Sequence, residues 1–437
     1  MKKVLAAIML VLLLLPTAAL AEGFGVYEWS ATGTAMGDNF MFDEEDASVL
    51  AYNPAGITHL KGKHLSFGAT WFNPAIKCHF QNTPSVPAYN WKSWNEAKGY
   101  KGTTHKNNSY DPVWAGSIFY THQLNDKHWL GLGVFPRFGN GISFDSTWEG
   151  RYDTVDGKIT GITIQPTWAF KPSKKWSIAL GLDINYMNLS LSKQIPIHDG
   201  ATPLPNLLGD ALLDLDGKCT NLGWFVSAMY DFDKKNSAAI TYRSKIKHTM
   251  DADTEVISDM GNQYANAHGS VTVPDSLSFG FGHKFSDRTR IEFDATWTNW
   301  ATYDVLDMSF TPAIQTPTGP MGNYIGVKDW KAAWRFGIGF QHRMNSKWTF
   351  LCGYNFDGSP VPDETFDFTV PTGDRHRGSL GFKYNISKDA AVTFAYTAIW
   401  AGSRDVTSKV GGADFTSARI NDCLTQILSL GFSMKLK

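Results

Sequence analysis

Residues 427–437, ILSLGFSMKLK, alternate between apolar and polar side chains. A strand with this two-residue period has one apolar and one polar face, and it can turn the first toward lipid and the second toward a watery lumen. The pattern therefore predicts a strand of a transmembrane β-barrel. Its apolar face carries Leu428, Leu430, Phe432, Met434 and Leu436, and its polar face carries Ser429, Gly431, Ser433, Lys435 and Lys437.

The same alternation recurs along the chain, and short polar turns separate the alternating runs. Six such turns lie near residues 124, 171, 233, 286, 345 and 387, with longer irregular connections between them. Outer-membrane barrels have short periplasmic turns and long outer loops. Six hairpins, with one strand before them and one after, make fourteen strands, an even number that puts both termini in the periplasm.

The predicted fold is therefore an all-β, 14-stranded antiparallel transmembrane barrel built from residues 63–437. A soluble β-sandwich is the alternative, but a sandwich does not need such a regular contrast between short turns and long loops. The predicted strands are 64–80, 112–122, 128–145, 159–170, 176–195, 219–232, 238–256, 269–285, 290–310, 329–344, 347–360, 374–386, 390–407 and 418–436.

Composition agrees with an exported barrel. Aromatic residues make up 14% of the chain, including 16 Trp and 28 Phe, and 40 glycines accompany them. No segment after the first few residues approaches the roughly 20 apolar residues of a membrane-spanning helix. Removing Lys2 and Lys3 takes the formal net charge from −1 to −3, and this balance argues against nucleic acid as a partner.

The first 21 residues have the pattern of a secretory signal peptide. Lys2 and Lys3 form a basic start, residues 4–15 are almost wholly apolar, and Ala19-Leu20-Ala21 is an A-x-A cleavage site. We therefore expect residues 1–21 to be removed and the protein to reside in the outer membrane of a Gram-negative bacterium.

Residues 22–62 do not join the alternation and are rich in Gly, Ala and Asp. In a barrel this wide the lumen is an open channel unless something fills it. We therefore predict that this segment folds into the lumen as a plug, which we call the hatch.

The hatch sequence resembles the amino-terminal segment of the FadL/TodX family, outer-membrane transporters of long-chain fatty acids and aromatic hydrocarbons. The matching residues include Gly23-Phe24 at its start and Asn53-Pro54-Ala55 near its end. A second block, FDGSPVPDETFDFTVPTGDRHRGSLG at 356–381, resembles the family's D-x-S-P-V-P … P-x-x-D-R stretch. One departure is that the chain ends in Leu436-Lys437 rather than in an aromatic residue.

The resemblance implies that outer loops capture a hydrophobic ligand, which moves to a pocket near the hatch and leaves sideways through a gap made by a kink in strand three. In this chain Pro136 cannot donate a ladder hydrogen bond, and two glycines flank Asn140 where a bulge or kink could form. The alternative is a glycine-rich strand that only makes close contacts. The candidate exit residues are Phe135, Pro136, Phe138, Gly139, Asn140 and Gly141.

The connection after strand five, residues 195–217, combines prolines with an apolar spacing typical of a helix. On an outer loop such a stripe could hold an alkyl chain, or it could pack on a neighbouring loop as a small core. The candidate capture residues are Leu204, Leu207, Leu208, Ala211, Leu212 and Leu215.

A carboxylate ligand would need Arg or Lys near the pocket. Arg137, Lys193, Arg243 and Arg335 are candidates by position, but no motif selects one of them. The choice between a fatty acid and a neutral hydrocarbon therefore stays open.

The chain has four cysteines, Cys78, Cys219, Cys352 and Cys423, and their spacing shows no zinc pattern. We expect no metal and no cofactor. Cys78 and Cys423 fall near the outer ends of strands one and fourteen, which are neighbours in a closed barrel, so a disulfide between them is a further hypothesis.

Three other functions compete with transport of a hydrophobic compound. A barrel-type lipase or other enzyme is the first, although the sequence has no G-x-S-x-G and no H-E-x-x-H motif. A general porin is the second, and it requires an open lumen. A structural or adhesive role is the third, and it predicts no effect on uptake of hydrophobic compounds. We therefore predict a monomeric, non-enzymatic transporter whose partners are hydrophobic small molecules and outer-membrane lipid.

Overall fold

The computed structural model describes residues 23–80, 106–107, 112–148, 150–198, 207–258, 261–316, 319–371, 373–410, 413–421 and 423–437. The signal sequence predicted for residues 1–21 lies outside the described residues. Among the described residues, no helix is long and apolar enough to span a membrane.

Fourteen antiparallel strands close into a barrel, counting each interrupted strand once. The last strand pairs with the first from Leu436 opposite Lys63 to Gln426 opposite Asn73, so the sheet has no free edge there. The predicted strand number and closure are confirmed. The strands are β1 (Lys63–Asn73), β2 (Val113–Gln123), β3 (His128–Ser143), β4 (Asp156–Phe170), β5 (Trp176–His198), β6 (Leu207–Asp231), β7 (Asn236–Arg243 and Ile246–Ile257), β8 (Gln263–Val273 and Ser276–Ser286), β9 (Thr289–Thr298 and Val305–Thr316), β10 (Gly319–Val327 and Ala333–Arg343), β11 (Trp348–Asp357), β12 (Arg375–Asn385), β13 (Ala390–Ala401) and β14 (Cys423–Leu436).

The two faces of the wall follow the alternation of the sequence. On β14, Leu428 and Leu430 are exposed on the outside, whereas Ser429 and Ser433 are buried inside. An apolar outer face and a polar inner face are what a membrane barrel requires.

Four neighbouring strands, β7 to β10, are interrupted. The sequence predicts the first three as continuous strands, whereas the predicted strand ten begins at 329, inside the interruption of β10. The interruption in β8 contains Pro274, which has no N–H to donate to a ladder. The interruption in β9 contains a short 3-10 turn, Trp300–Thr302. The interruptions therefore supply loop residues inside the wall, and two of them contribute to the site described below.

The predicted outer ends of strands one, thirteen and fourteen form a separate small sheet. It consists of Lys77–Phe80, Lys106–Asn107, Arg404–Val410 and Ala413–Asn421. Pro74 follows β1 directly, and Gly402-Ser403 follows β13. Because proline lacks a ladder donor and glycine weakens a strand, these residues mark the points where the predicted strands end early.

The helix predicted within residues 195–217 is wrong where the structure describes it. β6 begins at Leu207 and pairs with β5 along nearly its whole length. Leu213 and Leu215 are buried, whereas Asp214 and Asp216 are exposed, so the period is two rather than 3.6. Pairing along a long hairpin outweighs the helical spacing of the leucines, and Leu204 lies outside the described residues.

The hatch fills the bore of the barrel. It contains the short helices α1 (Ala31–Ala35) and α2 (Val49–Tyr52) and a 3-10 turn, Pro54–His59. The Ser30 hydroxyl caps α1 by accepting a hydrogen bond from the Gly33 N–H at 3.1 Å. Hatch side chains such as Phe40, Leu50 and Ile57 have no exposed surface, so the segment has a core of its own against the wall.

Inward-facing glycines let the hatch approach the wall closely. A Cβ at Gly353 of β11 would overlap the carbonyl oxygen of Met36, and one at Gly431 of β14 would lie 2.8 Å from the Ala31 Cβ. The glycines on the polar face of the strands therefore provide space for the plug.

Candidate functional site

The Asn-Pro-Ala segment joins the hatch to the barrel wall. The Asn53 side-chain amide donates to the Met41 carbonyl oxygen at 2.8 Å and accepts from the Ser227 hydroxyl of β6 at 2.9 Å. The Ala55 N–H donates to the same hydroxyl at 3.4 Å. Pro54 occupies the first position of the 3-10 turn, where a missing N–H costs nothing. The tripeptide thus forms a buried clamp between plug and wall.

A buried arginine on β7 binds the hatch backbone directly. The Arg243 guanidinium donates to the Ala51 carbonyl oxygen at 2.6 Å and to both carboxylate oxygens of Asp183 at 2.9 and 3.0 Å. It also donates to the Gln165 side chain, whose amide donates in turn to the Leu50 carbonyl oxygen at 3.0 Å. The end of α2 is therefore held by three strands of the wall.

Further charges hold the first half of the hatch. Arg377 of β12 pairs with Glu28 at 3.1 Å and also with Asp38, so one guanidinium serves two hatch carboxylates. Burial raises the pKa of Asp38 to about 6, and the charge of Glu28 adds to the effect.

The opposite pKa shift occurs at a second hatch carboxylate. Asp43 pairs with Arg290 of β9 at 2.9 Å. Burial alone would raise its pKa, but Arg290 and Lys383 hold the pKa down at about 2. Asp43 therefore stays ionised and bound to the wall over the whole neutral and mildly acidic range.

Strand β3 contains a bulge at the centre of the predicted kink. Pro136 lies opposite Ile162 of β4 and Phe138 lies opposite Gly161, which leaves Arg137 as the extra residue. The irregularity therefore falls at Arg137, two residues before Gly139. A bulge of this kind bends the strand and interrupts the ladder.

The ladder between β3 and β2 ends three residues before this bulge. Ladder pairing between the two strands ends at Ile118 opposite Val134 among the described residues, although β2 stays paired with β1 as far as Val113. The start of the hatch binds β3 here instead: the Val26 N–H donates to the Arg137 carbonyl oxygen at 3.0 Å, and the Gly139 N–H donates to the Phe24 carbonyl oxygen at 2.9 Å. Among the described residues, ladder hydrogen bonds therefore close the wall between β2 and β3 only in its periplasmic part.

The Phe24 side chain is enclosed by other aromatic rings. Its ring centroid lies 4.6 Å from that of Trp300, 5.7 Å from that of Tyr303 and 5.8 Å from that of Trp330. Phe138 closes the remaining side at 6.1 Å. We call these four residues the aromatic box. Trp300 and Tyr303 come from the interruption in β9 and Trp330 from that in β10, and sequence reasoning did not identify them.

A large cavity opens on the outer side of the aromatic box. Its volume is about 510 Å³. The cavity has an apolar wall and a charged end, at which Lys328 pairs with Asp367 and the Lys193 ammonium lies 4.2 Å from the ring centroid of Tyr324. The apolar wall includes Ile159, Met187, Leu189, Leu191, Leu213, Leu215, Leu306, Met308 and Phe310.

A second, much smaller cavity lies on the hatch side of the box. Its volume is about 30 Å³, enough for a water-sized group, and Arg137, Arg243 and Arg335 all line it. Tyr303 lines the large cavity, whereas Phe138 and Trp300 line the small one. The aromatic box, with Phe24 inside, therefore separates the two spaces.

The basic residues selected from the sequence divide between these cavities. Arg137 and Arg243 both pair with Asp183 at 2.9 Å, and the Arg335 guanidinium stacks 4.1 Å above the ring of Tyr27. Only Lys193 reaches the large cavity. It is therefore the one member of the four placed to meet a ligand there.

The capture residues selected from the sequence do not act as one stripe. Leu215 lines the large cavity and is buried, as is Ala211. Leu212 alternates with them along β6 and points to the other face of the strand. The side chains of Leu207 and Leu208 are not among those that the structure describes.

The disulfide that we hypothesise between Cys78 and Cys423 is not formed, and each of the two residues is a thiol. Cys78 lies opposite Ile420 in the small sheet, whereas Ala75 pairs with Leu424, so the two cysteines are offset along their strands rather than directly opposite. Burial raises the pKa of Cys78 to about 12. Within the described ranges, no group of three or more His, Cys, Asp or Glu residues is arranged to hold a metal ion.

Comparisons with known proteins agree with this architecture. An outer membrane protein of Neisseria meningitidis serogroup B is 25% identical over 95% of this chain and 94% of its own length. The long-chain fatty acid transport protein of Salmonella typhi is 23% identical over 87% of each chain. Among solved structures, a Pseudomonas aeruginosa FadL homologue has a TM-score of 0.82 at 18% identity and covers 95% of this chain and 100% of its own. The Pseudomonas putida toluene transporter TodX has a TM-score of 0.67 at 15% identity, with 95% and 99% covered.

The family model described as outer membrane protein transport protein (OMPP1/FadL/TodX) matches residues 12–431, nearly the whole chain. With the closed 14-stranded barrel and its internal hatch, this match establishes the family. The chain belongs to the OMPP1/FadL/TodX family of outer-membrane transport proteins.

Proposed function

We propose that this protein takes up long-chain fatty acids or other hydrophobic compounds across the outer membrane without catalysis. The single observation that carries the proposal is the juxtaposition of an apolar cavity of about 510 Å³ with a β3 edge from which β2 has separated. The names of relatives support the class of ligand, because they include a long-chain fatty acid transport protein and a toluene transporter.

The large cavity is the proposed binding site. Each CH₂ group that a ligand buries there contributes about 0.8 kcal/mol, so an alkyl chain gains more with every carbon that it places against the wall. Leu213 and Leu215 supply part of that wall from β6. They take the capture role predicted for the connection at residues 195–217, although Leu213 is not one of the residues selected from the sequence, and the long β5–β6 hairpin guides the ligand inward.

The route from the cavity to the bilayer passes the aromatic box. Phe24, at the start of the hatch, separates the large cavity from the small one, and its backbone carbonyl accepts a hydrogen bond from the Gly139 N–H beside the opening between β2 and β3. Displacing residues 23–26 would therefore connect the cavity with that opening. Beyond it the ligand would meet lipid rather than water, so it would leave sideways with its apolar surface always covered.

The hatch makes a general porin the weaker alternative. Buried ion pairs and the Asn53 clamp bind it to the wall on several sides, as described above. A porin needs an open lumen, whereas a filled lumen suits a ligand that exits through the wall.

The direct test is ligand accumulation by cells that lack their own fatty acid transporter and express this protein. We expect such cells to accumulate a radiolabelled long-chain ligand, and we expect Leu215→Glu to reduce accumulation about tenfold or more, because burying a carboxylate in an apolar wall is costly. Leu215→Met, which conserves volume, is the matched control and should retain uptake. Accumulation no greater than in cells with an empty vector would refute the proposal.

The same assay decides the chemical class of the ligand. Lys193 lies in the large cavity without an ion pair among the described residues, so it is the proposed partner of a carboxylate. If the ligand is a fatty acid, Lys193→Met should lower its uptake and leave that of a neutral alkane of equal length unchanged. Equal effects on both ligands would favour a hydrocarbon and a purely packing role for Lys193.

A further inference from the structure

The periplasmic mouth of the barrel contains a second concave site. A cavity of about 650 Å³ lies between the end of the hatch, the turn from β4 to β5 and the turn from β6 to β7. The hatch residues Thr58 and His59 line it, inside the bore. We call it the basic basin because its lining includes Lys61, Lys171, Lys174, Lys175, Lys234, Lys235, Lys284 and Arg290.

The acidic residues of the basin are already engaged. Glu44 pairs with Lys284 at 2.5 Å, and Asp231 pairs with His59 at 2.9 Å. Asp233 accepts hydrogen bonds from the backbone N–H groups of Lys235 at 2.7 Å and Asn236 at 2.9 Å, which closes its turn. The lining therefore has three carboxylates against eight lysine and arginine side chains, so positive charge remains in excess.

Six basin lysines, at positions 61, 171, 174, 175, 234 and 235, make no ion pair within the described part of the chain. Lys175 donates a hydrogen bond to the Phe232 carbonyl oxygen at 3.2 Å, which adds no negative charge. Burial lowers the pKa of Lys171, the charges of Asp231 and Glu44 oppose this shift, and the nearby charge of Lys61 adds to it. Like charges focused in a concave site raise its potential, so a bound anion would relieve their repulsion.

The arrangement favours one kind of anion. The unpaired ammonium groups belong to three separate elements, which are the end of the hatch, the turn from β4 to β5 and the turn from β6 to β7. The basin's arginine, Arg290, is occupied by Asp43 at 2.9 Å, so no free guanidinium offers the bidentate geometry that suits a phosphate. Flexible, separated point charges fit an extended chain that carries several carboxylates.

We propose that the basic basin is a docking site for an acidic, Asp- and Glu-rich segment of a periplasmic protein. Because the hatch forms part of its lining inside the bore, the partner approaches from the periplasm and not from the lipid. The proposal does not depend on which ligand the barrel transports.

The experiment measures binding of a fluorescent hexaglutamate peptide to the full-length protein in detergent, with hexaglutamine as the uncharged control probe. We expect hexaglutamate alone to bind, and we expect its affinity to fall as the salt concentration rises because these charges are exposed to solvent. The test variant combines Lys174→Gln, Lys234→Gln and Lys235→Gln, three exposed basin residues. The matched control combines Lys127→Gln, Lys347→Gln and Lys388→Gln, three exposed turn residues outside the basin.

Both variants lose three positive charges. The comparison therefore distinguishes binding at the basic basin from non-specific attraction between the peptide and the whole protein. The proposal expects about a tenfold loss of hexaglutamate affinity in the basin variant and less than a twofold loss in the control variant. Equal losses in the two variants, or no binding by the wild-type protein, would overturn it. Binding that disappears in nanodiscs of anionic lipid but persists in zwitterionic ones would assign the basin to lipid headgroups and would also overturn it.

Discussion

Arg137, the extra residue of the β3 bulge, forms a buried ion pair with Asp183 of β5 at 2.9 Å. Asp183 also binds Arg243, which holds the hatch at Ala51. The bend in the wall and the attachment of the plug therefore share one carboxylate. This coupling means that a change at Asp183 should affect both.

The first prediction concerns that shared carboxylate. Asp183→Asn leaves two buried guanidinium groups without their counter-charge, and removing one partner of a buried ion pair costs about 3–5 kcal/mol. We expect a clear fall in the midpoint of thermal unfolding in detergent and faster proteolysis of residues 23–62. Asp405→Asn is the control, since its pair with Arg419 is exposed and long at 3.5 Å and exposed pairs contribute about 0–1 kcal/mol. Equal midpoints for the two variants would contradict the coupling.

The second prediction concerns the Asn53 clamp. Asn53→Ala removes hydrogen bonds to Met41 and Ser227, and each buried polar group left without its partner costs about 1–3 kcal/mol. We expect the hatch to open more often, so that ion conductance through single barrels in planar bilayers rises. Asn262→Ala, which removes an exposed side chain that bonds Glu255, should leave conductance unchanged. Unchanged conductance of the Asn53→Ala variant would show that the other contacts of the hatch are enough to hold it in the bore.

The third prediction concerns the space that glycine provides for the hatch. Gly353→Val places a side chain where the Met36 carbonyl oxygen lies, and the backbone cannot yield as a flexible side chain would. We expect the barrel to assemble while the hatch becomes sensitive to protease. Gly322→Val adds the same side chain where nothing lies within 4 Å and should resist protease like the wild type. Protease resistance of the Gly353→Val variant would mean that the hatch can shift and still pack inside the bore.

The fourth prediction concerns pH at the large cavity. Burial raises the pKa of Asp153 to about 7, and the charge of Asp367 adds to the shift. Because the pKa is raised in the folded state, the stabilisation by Asp153 is fully present below about pH 4 and is lost as the pH rises through about 7. We expect the midpoint of thermal unfolding in detergent to fall over this range, although the Phe368 N–H, which donates to Asp153 at 2.8 Å, favours the ionised carboxylate and opposes the effect. Asp153→Asn should remove this pH dependence, and an unchanged pH dependence in this variant would assign it to another group.

The barrel can be predicted from local patterns in the sequence. Alternation such as that of residues 427–437 depends only on neighbouring side chains and the two faces of a strand, so the strand number and the inward polar face follow from the sequence. Strand ends do not follow in the same way. β6 starts twelve residues before its predicted start at 219, at Leu207, because its leucines fit a period of 3.6 as well as 2 and only the pairing with β5 decides between them.

The candidate site likewise can be predicted from the sequence only in part. The irregularity in β3 was predicted from Pro136 and the glycines, but its position at Arg137 depends on the register with β4. The aromatic box brings Phe24 together with Trp300, Tyr303 and Trp330 across nearly 300 residues of sequence. No local pattern marks such a contact, since it arises only when the hatch enters the bore.

We propose that the ligand leaves the barrel between β2 and β3, and a reversible disulfide across this opening tests that route. Extending the register from Ile118 opposite Val134 brings Gly116 opposite Pro136, and both positions fall on the outer face of their strands. The variant carries Gly116→Cys and Pro136→Cys with the four native cysteines replaced by Ser. Its control carries Tyr120→Cys and Leu132→Cys, a pair that already lies opposite in the ladder.

The decisive measurement is the uptake rate of a labelled long-chain ligand before and after reduction of this disulfide. We expect the oxidised Gly116/Pro136 variant to take up ligand at least about tenfold more slowly than after reduction, because the wall is held closed, while the Tyr120/Leu132 control transports equally well in both states. Uptake by the oxidised Gly116/Pro136 variant at the rate of its reduced form would show that the ligand leaves by another route.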